Sequence, residues 1–274
     1  MALNSKPQLS IVLPAYEEAT NLDSILPRLA AVGSQIVGQP SRLREAVSAG
    51  TAKESPIGTP TDLPQPASQF EIVVVDTPEP HDETPGICKR HGVRYVPRRG
   101  GSLYGHAVRT ALEEASGEWV IFMDADGSHN PGFLPELWRY RNDFDLVIAS
   151  RYVEGGRTEN PAVLIFMSLF INITFRITLG LKCFDVSNSF RLYRGDDLRK
   201  LHLKCNHFDI VEEILVKLLT LHPRYRLKEV PFYFEKRKAG KTKRNLIAFA
   251  LGYAVTLLRL MKLKREARNS QVDV

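Results

Sequence analysis

Residues 118–131 read Glu-Trp-Val-Ile-Phe-Met-Asp-Ala-Asp-Gly-Ser-His-Asn-Pro, an apolar run that stops at two carboxylates. The unbroken apolar residues 119–123 predict a strand that is buried on both faces of a parallel sheet. Ligands of open α/β sheets bind outside the carboxyl ends of strands, where Asp124 and Asp126 fall. In an extended chain the two side chains face the same way and suit one divalent cation, Mg²⁺ or Mn²⁺, completed by phosphate oxygens. A polar turn that only closes the strand is the plain alternative, because Asp-x-Asp is common.

Other predicted strands lead to the same edge. Residues 9–13 and 71–76 are short apolar runs, the second ending at Asp76, and residues 145–150 stop just before Arg151. Apolar residues at helical spacing follow several of these strands. The alternation predicts an α/β fold with a mostly parallel sheet flanked by helices. A cation at a strand's carboxyl end could meet a phosphate, and a surface arginine is an equal alternative.

Size and composition set broad limits. The 274 residues, of which 43% are hydrophobic, are enough for one large α/β domain with additions. The formal charge of +6 suits an anionic partner without choosing among nucleotide, lipid phosphate, membrane surface and nucleic acid. Three cysteines without Cys-x-x-Cys spacing indicate neither a disulfide framework nor a zinc site, so a reducing cytoplasm is expected. The first residues lack the apolar core of a signal peptide.

Three segments depart from the compact α/β pattern. Residues 33–68 are rich in Pro, Ser, Thr and Gly and predict a flexible insertion in a domain spanning residues 1–244. Residues 245–274 pass from an apolar run into a basic tail. They predict a C-terminal interfacial or amphipathic helix that lies at a membrane surface, the alternative being a helix packed on the domain. Residues 162–181, apolar with polar interruptions, predict a buried or interfacial helix.

A basic loop follows the last predicted strand. Residues 236–244 hold six cations in nine residues, together with a glycine and a threonine. Such a run is usually a solvated loop. Because backbone N–H groups and guanidinium groups favour phosphate oxygens, it could also clamp a phosphate.

Taken together, these segments resemble the polyprenyl-phosphate (dolichol-phosphate mannose synthase-like) branch of inverting family 2 glycosyltransferases. Each motif is weak alone, but their order and spacing extend over nearly the whole chain. The motifs are Pro14-Ala15-Tyr16-Glu17-Glu18, the strand ending at Asp76, residues 123–129, Ser150-Arg151-Tyr152, residues 185–194 and residues 237–243. The resemblance implies a GT-A fold, which is Rossmann-like, a nucleotide-sugar donor and a divalent metal, Mg²⁺ or Mn²⁺.

The resemblance also implies roles on the donor side. The residues that would hold the donor's base and ribose are Pro14, Tyr16, Glu18 and Asp76. The residues that would face the metal and the diphosphate are Asp124, Asp126 and Ser128, and Arg237 and Lys243 would close over the phosphates. Catalysis would rest mainly on Asp126, Asp185 and Arg237. Metal and fixed cations stabilise the negative charge that develops on the departing nucleoside diphosphate.

On the acceptor side the resemblance implies Arg151, Ser168 and Glu213. A phosphate acceptor is already an oxyanion near neutral pH, whereas a hydroxyl acceptor needs a carboxylate base within hydrogen-bond reach. Asp185 and Glu213 are the candidates for that base, and a turn acid is the alternative for Asp185. Residues 208–221 predict an amphipathic helix with Glu212 and Glu213 turned away from its apolar side.

Two departures from the family pattern concern specificity. Thr77-Pro78-Glu79-Pro80 stands where the family usually has a second acid and a Gly-Ser turn, which leaves the nucleotide open. Leu164 stands where many relatives place a second arginine for the acceptor phosphate, which leaves the acceptor less defined than the donor.

The leading prediction is transfer of a mannose- or glucose-type hexose from GDP-mannose or a UDP-sugar to a polyprenyl or dolichyl phosphate. The enzyme would attach peripherally to the cytoplasmic face of a membrane. Transfer to a saccharide or protein hydroxyl is one alternative, and a non-catalytic sugar-nucleotide-binding or scaffold protein is another. Nucleic-acid binding is not expected, since the basic runs lack interleaved aromatic residues. A small membrane subunit or a homo-oligomer stays open as a further partner.

Overall fold

A computed structural model describes residues 6–37, 69–235 and 246–272 of the chain. Its strands are β1 (Leu9–Pro14), β2 (Phe70–Asp76), β3 (Arg94–Pro97), β4 (Trp119–Phe122), β5 (Leu146–Ser150), β6 (Arg157–Thr158), β7 (Arg191–Arg194), β8 (Leu227–Pro231) and β9 (Tyr233–Phe234). Seven of them form one sheet in the order β3-β2-β1-β4-β7-β5-β8, and β6 pairs with β9. Neighbours are parallel except at β7, which is antiparallel to both β4 and β5. The predicted α/β fold with a mostly parallel sheet is confirmed.

Helices cover both faces of this sheet. They are α1 (Ala19–Val37), α2 (Thr84–Arg90), α3 (Tyr104–Glu114), α4 (Leu134–Trp138), α5 (Ala162–Leu179), α6 (Gly195–Arg199), α7 (Ile210–Leu221) and α8 (Leu246–Val272), with a 3-10 turn at Pro131–Phe133. The hydrophobic core has two parts, one on each face of the sheet, because successive side chains of a strand point to opposite faces. Leu9, Ile11 and Leu13 join one hydrophobic cluster, and Val12 joins the other.

The strand directions bring the functional ends together. In the parallel register Leu13 pairs with Val74, and Val12 pairs with Phe122, so β1, β2 and β4 finish at one edge. Because β7 is antiparallel to both of its neighbours, β5 points the same way as β4 and also ends there. The residues that end or follow these strands, Asp76, Asp124 and Arg151, therefore lie along one edge of the sheet, as predicted.

The prediction that the insertion begins at residue 33 is wrong, because helix α1 extends beyond that residue. It continues through Pro27 to Val37, and Ile36 and Val37 are buried. A β-carbon on Gly33 would lie 2.5 Å from the Phe70 ring, so the helix packs closely on β2 at this point. Residues 33–37 thus belong to the folded core, and residues 38–68 lie outside the described part of the chain.

The predicted orientation of Glu212 and Glu213 on helix α7 is wrong. Glu212 and Glu213 are both fully buried, although the amphipathic pattern turned them away from the core. The reason is a further layer, since α7 packs against α6 and α8 as well as contributing to the core. A second covering element removes the solvent-facing side that an amphipathic pattern assumes.

The helices α5 and α8 lie against each other and keep large apolar side chains exposed. Only Ile171, Asn172, Phe175 and Leu179 of the eighteen residues of α5 are buried. In α8, Tyr253, Thr256 and Leu260 are buried, as the packed alternative for this helix requires, whereas Val255, Leu258 and Met261 face outward. Among the described helices α5 is the one long and apolar enough to cross a membrane, a property shared by core helices of soluble proteins.

Candidate active site

The loop after β1 presents its side chains at the carboxyl edge. Glu17 has a φ of 55°, the left-handed conformation that non-glycine residues seldom adopt. On either side of it, the Tyr16 side chain is 47% exposed and Glu18 is buried, with its carboxylate accepting from Asn21 Nδ2 at 2.6 Å. The Tyr16 ring lies 5.6 Å from the His81 ring. The strained turn thus directs one aromatic side chain outward beside the end of β1.

Asp76 ends β2 as a buried carboxyl group. Its oxygens accept from Thr77 Oγ1 and from the Tyr95 hydroxyl, each at 3.4 Å. Burial raises the pKa of Asp76, and the nearby charge of Asp82 raises it further. Thr77, which stands where the family usually has a second acid, turns inward and donates to Glu79 O at 2.6 Å. The departure noted in the sequence therefore closes a local turn beside Asp76.

Arg98 is a buried residue of this region that sequence reasoning missed. Its guanidinium donates to Asp76 O at 2.9 Å, to Ser102 O at 2.9 Å and to Ala15 O. The planar fork of arginine can satisfy several carbonyl groups at once. Arg98 thereby ties together the ends of β1 and β2 and the loop before α3. A single arginine after a short strand carries no motif that would have revealed this.

Two hydrogen bonds hold Asp124 in place. Its backbone N–H donates to His129 Nδ1 at 2.9 Å, and its Oδ1 accepts from Ser189 Oγ at 3.0 Å. Since Nδ1 accepts, a neutral His129 carries its proton on Nε2, which lies 3.8 Å from Asp124 Oδ2. Burial lowers the pKa of His129, against the opposing charges of Asp124 and Asp126. The sequence motif contains His129 without indicating a role for it, and no sequence pattern points to Ser189.

Asp126 follows in a turn made with Gly127, whose φ is 82°. Asp126 Oδ1 accepts from the backbone N–H of Ser128 at 3.0 Å and from its hydroxyl at 2.6 Å. Ser128 is fully buried, so the structure places this predicted metal ligand behind the carboxylate, in contact with it.

The two carboxylates suit a divalent cation. The negative charges of both carboxylates raise the pKa of the same imidazole, that of His129. The Asp124 side chain is 25% exposed to solvent. Within the described residues no group of three or more His, Cys, Asp or Glu could hold a metal. Magnesium at nucleotide sites commonly has one or two carboxylates, with phosphates and water in the remaining positions. The residues present therefore fit Mg²⁺ or Mn²⁺ bound together with a diphosphate.

Arg151 lies in a buried polar cluster at the end of β5. Its Nε donates to Asp185 Oδ2 at 2.8 Å and its Nη2 donates to Asp185 Oδ1 at 2.7 Å. The Arg151 backbone N–H also donates to Oδ2, at 2.9 Å. Arg151 Nη2 donates to Ser187 Oγ at 2.9 Å and to Ser168 Oγ at 3.4 Å. The structure thus brings together the predicted Arg151, Asp185 and Ser168 and adds Ser187. Leu164 lies on α5 with Ser168 and supplies no second cation.

Both carboxylate oxygens of Asp185 accept hydrogen bonds within this cluster. It is completely buried, which would raise its pKa, but the charge and hydrogen bonds of Arg151 outweigh burial and lower the pKa. Glu229, also missed from sequence, holds the backbone of this segment by accepting from the N–H groups of Phe184 and Asp185, both at 2.8 Å. A carboxylate that is buried, paired and of low pKa is a poor general base.

Glu213 is not brought into this cluster. Its carboxylate accepts from the backbone N–H groups of Lys204 and Cys205 at 2.9 and 2.8 Å and from Lys217 Nζ at 2.7 Å. Burial would raise the pKa of Glu213, but these hydrogen bonds and the Lys217 charge lower it. Of the remaining predicted site residues, Arg237 and Lys243 lie outside the described residues.

Comparison with known proteins finds related sequences and a related fold. The family model described as "Glycosyl transferase family 2" matches residues 61–201. The chain is 28% identical over 245 residues to a dolichol-phosphate mannosyltransferase of Pyrococcus furiosus, covering 86% of this chain and 59% of the relative. It is 35% identical over 150 residues to an undecaprenyl-phosphate mannosyltransferase of Micrococcus luteus, covering 52% of this chain and 59% of the relative. The chain thus spans about three fifths of the length of these two relatives.

A third relative and one solved structure extend the comparison. A dolichol-phosphate mannosyltransferase of Saccharomyces cerevisiae is 24% identical over 246 residues, with 86% of this chain and 80% of the relative covered. Glucosyl-3-phosphoglycerate synthase of Mycobacterium tuberculosis, solved with Mn²⁺, UDP and glucosyl-3-phosphoglycerate, superimposes with a TM-score of 0.61 at 16% identity. That alignment covers 94% of this chain and 81% of the other. The structural likeness identifies the fold as GT-A.

Proposed function

The chain belongs to glycosyl transferase family 2, and on that premise we propose that it is an inverting, metal-dependent hexosyltransferase acting on a polyprenyl phosphate. The donor is a nucleotide-diphosphate sugar, GDP-mannose or a UDP-sugar. The names of the relatives from Pyrococcus furiosus, Micrococcus luteus and Saccharomyces cerevisiae favour mannose as the sugar and a polyprenyl phosphate as the acceptor.

The observation that carries the acceptor assignment is the state of the two candidate bases. Asp185 is buried against Arg151, and Glu213 is buried against Lys217 and two backbone N–H groups. An acceptor hydroxyl must lose its proton to a free base, whereas a phosphate monoester arrives with a nucleophilic oxyanion. The cation and hydroxyls of Arg151, Ser168 and Ser187 suit such a phosphate. A phosphate acceptor is therefore preferred to a saccharide or protein hydroxyl.

On the donor side, Asp124 and Asp126 would hold the divalent cation, which when bound stabilises the negative charge that develops on the leaving diphosphate. Ser189 and His129 keep Asp124 in place, and Ser128 does the same for Asp126. We assign the base and ribose to Pro14, Tyr16, Glu18 and Asp76 at the ends of β1 and β2. Arg237 and Lys243 remain the proposed phosphate clamp.

The exposed faces of α5 and α8 favour peripheral attachment to a membrane. Phe166 and Phe170 are 72% and 64% exposed on one face of α5. Ser168, which belongs to the Arg151 cluster, lies on the opposite face of the helix, because residues two apart on a helix point in nearly opposite directions. The acceptor phosphate would therefore bind on the inner side of a helix whose outer side meets the bilayer, and its lipid chain would extend past α5 to the membrane. Aromatic and aliphatic side chains on a helix with basic neighbours lie naturally in the interfacial region.

Transfer itself gives the direct test. Full-length protein is incubated with radiolabelled GDP-mannose or UDP-glucose, Mg²⁺ or Mn²⁺, and either farnesyl phosphate or farnesol. We expect label to enter the organic phase with farnesyl phosphate and not with farnesol, because only the phosphate brings its own oxyanion. Equal transfer to farnesol would favour the hydroxyl alternative, and no transfer with any donor and acceptor would favour the non-catalytic one.

A further inference from the structure

Residues 185–190, which we call the bridge segment, lie between the two halves of the candidate site. They lead into β7, whose first residue Arg191 pairs with Phe122 at the end of β4 and with Ile148 near the end of β5. An antiparallel strand begins at the edge where its parallel neighbours finish. The bridge segment therefore emerges between the residues that follow β4 and those that follow β5.

Its side chains contact both sides. At one end Asp185 and Ser187 bind the Arg151 guanidinium, and at the other Ser189 Oγ donates to Asp124 Oδ1 at 3.0 Å. Between them, the Asn188 backbone N–H donates to Asp185 Oδ1 at 3.2 Å, the same oxygen that accepts from Arg151 Nη2 at 2.7 Å. A continuous chain of hydrogen bonds and backbone thus joins Asp124 to Arg151.

The bridge segment is also held firmly by its surroundings. Asn188 Nδ2 donates to Ala149 O, and Arg191 Nη2 donates to Val186 O at 2.7 Å. Asp185, Val186, Asn188, Ser189 and Phe190 are all buried. A close-packed segment with satisfied hydrogen bonds transmits a displacement at one end to the other instead of absorbing it.

We propose that the bridge segment couples occupancy of the metal and diphosphate site to acceptor binding, with Ser189 as the positioning residue that makes the link. This inference rests on the proposed function, which assigns Asp124 to the metal and Arg151 to the acceptor phosphate. A phosphate that draws Arg151 Nη2 away from Asp185 Oδ1 alters the bonding at one end of the bridge segment. Through Ser189 the change reaches the orientation of Asp124, so each ligand alters the affinity for the other by the same factor.

The test is a binding cycle on the full-length chain. The affinity for Mn²⁺ with GDP or UDP, whichever belongs to the active donor, is measured by calorimetry with and without saturating farnesyl phosphate. The ratio of the two affinities is the coupling factor, which we expect to be about fivefold or more in the unmodified protein. Ser189→Ala should bring this factor close to one, and Ser189→Thr, which keeps the hydroxyl, should restore it.

Ser187→Ala is the matched control, because it removes a hydroxyl from the same segment and leaves the Asp124 contact. We expect it to weaken farnesyl phosphate binding while the coupling factor persists. Should Ser189→Ala fold poorly, Ser189→Cys keeps the size of the side chain but donates only weakly, and it is expected to lower the coupling factor in the same direction. Two ligands that bind independently to the unmodified protein, or unchanged coupling without the Ser189 hydroxyl, would overturn the inference and leave the proposed function standing. Failure of the unmodified protein to bind either ligand would overturn both.

Discussion

Arg151 and Asp185 form a two-point ion pair, with Nη2 2.7 Å from Oδ1 and Nε 2.8 Å from Oδ2, and both side chains are almost completely removed from solvent. Such a pair stabilises the fold only while both charges are present, because removing one leaves the other buried without a partner.

The first prediction concerns this pair. Asp185→Asn should lower the free energy of unfolding by about 3 kcal/mol at neutral pH. Because the folded-state pKa of Asp185 is lowered, its contribution is present above the unfolded pKa, about 3.9, and is lost as pH falls through the folded pKa. Urea unfolding at pH 7 and at pH 3 should therefore show a smaller difference between variant and parent at the lower pH. Asp23→Asn, at an exposed pair with Arg90, should lower the free energy of unfolding far less. Equal costs for the two variants would contradict the argument.

The second prediction concerns the metal. Asp126→Ala should lower transfer by about 100-fold or more, since loss of a ligand weakens the stabilisation of the leaving diphosphate. The variant should still fold, with a modest loss of stability, because Asp126 lies in a turn but its removal leaves the buried N–H and hydroxyl of Ser128 without their acceptor. Asp143→Ala, an exposed acid before β5, is the control and should be fully active. Full activity of the parent in EDTA would refute the metal requirement.

The third prediction separates the core from the insertion. Deleting residues 38–68 and closing the gap with a short flexible linker should cost little stability, since closure entropy grows slowly with loop length. Extending the deletion to residue 33 should cost several kcal/mol, because it removes the buried Ile36 and Val37. Thermal unfolding of the two deletions compares them directly. A large loss in the shorter deletion would show that residues 38–68 pack on the domain.

The fourth prediction concerns membrane attachment. Replacing Phe166 and Phe170 together with Gln should reduce flotation with anionic liposomes by about tenfold or more, since each exposed ring would otherwise bury apolar area in the bilayer. Added salt should weaken attachment of the parent in part, by screening its basic residues. Leu221→Gln, which alters an exposed leucine on another helix, should float like the parent. If the double variant and the Leu221 control float equally, α5 is not the membrane-facing helix.

The fifth prediction uses the neighbouring acids of α7. Burial raises the pKa of Glu212 to about 8, so its stabilising contribution is complete below its ordinary value of 4.5 and is lost as pH rises toward 8. Arg191, Asp209 and Tyr253 are the charged or titratable groups that act on it. Glu212→Gln should therefore match the parent near pH 4.5 and exceed its stability by a few kcal/mol at pH 8, as one pKa unit corresponds to about 1.4 kcal/mol.

Glu213→Gln should change the free energy of unfolding in the opposite direction. The pKa of Glu213 is lowered, so its charge stabilises the fold above its unfolded pKa. That variant should be less stable than the parent at pH 7. A pH series of unfolding curves in which Glu212→Gln and Glu213→Gln change in the same direction would show that the two environments are not as described.

Much of the fold follows from local patterns. The unbroken apolar runs predicted β1, β2, β4 and β5 within a residue or two, because strands buried on both faces exclude polar side chains. Apolar spacing predicted α7 almost as closely. Two predictions were wrong. Glu212 and Glu213 are buried because other helices cover the side of α7 that the amphipathic pattern assigned to solvent. Helix α1 continues past Gly33 because Phe70 packs against it at this point.

The site divides in the same way. Asp124, Asp126 and Arg151 could be chosen from sequence because each follows an apolar strand, and the carboxyl ends of parallel strands meet at one edge. Arg98, Ser189 and Glu229 could not, since their importance depends on hydrogen bonds to residues distant in the chain, such as Ser189 to Asp124.

Sequence by itself determined that Asp76, Asp124, Asp126 and Arg151 reach the carboxyl edge of the sheet, because each ends or follows an apolar strand and parallel strands finish at one edge. Only the tertiary structure decided which of the candidate groups are free to act. In the sequence, Asp185 and Glu213 are both candidates for a general base on the acceptor side. In the folded protein each is buried and paired with a different cation, so neither is available to accept a proton. Burial and pairing set the charge state of an acid, and both depend on residues that the chain brings together only when it folds.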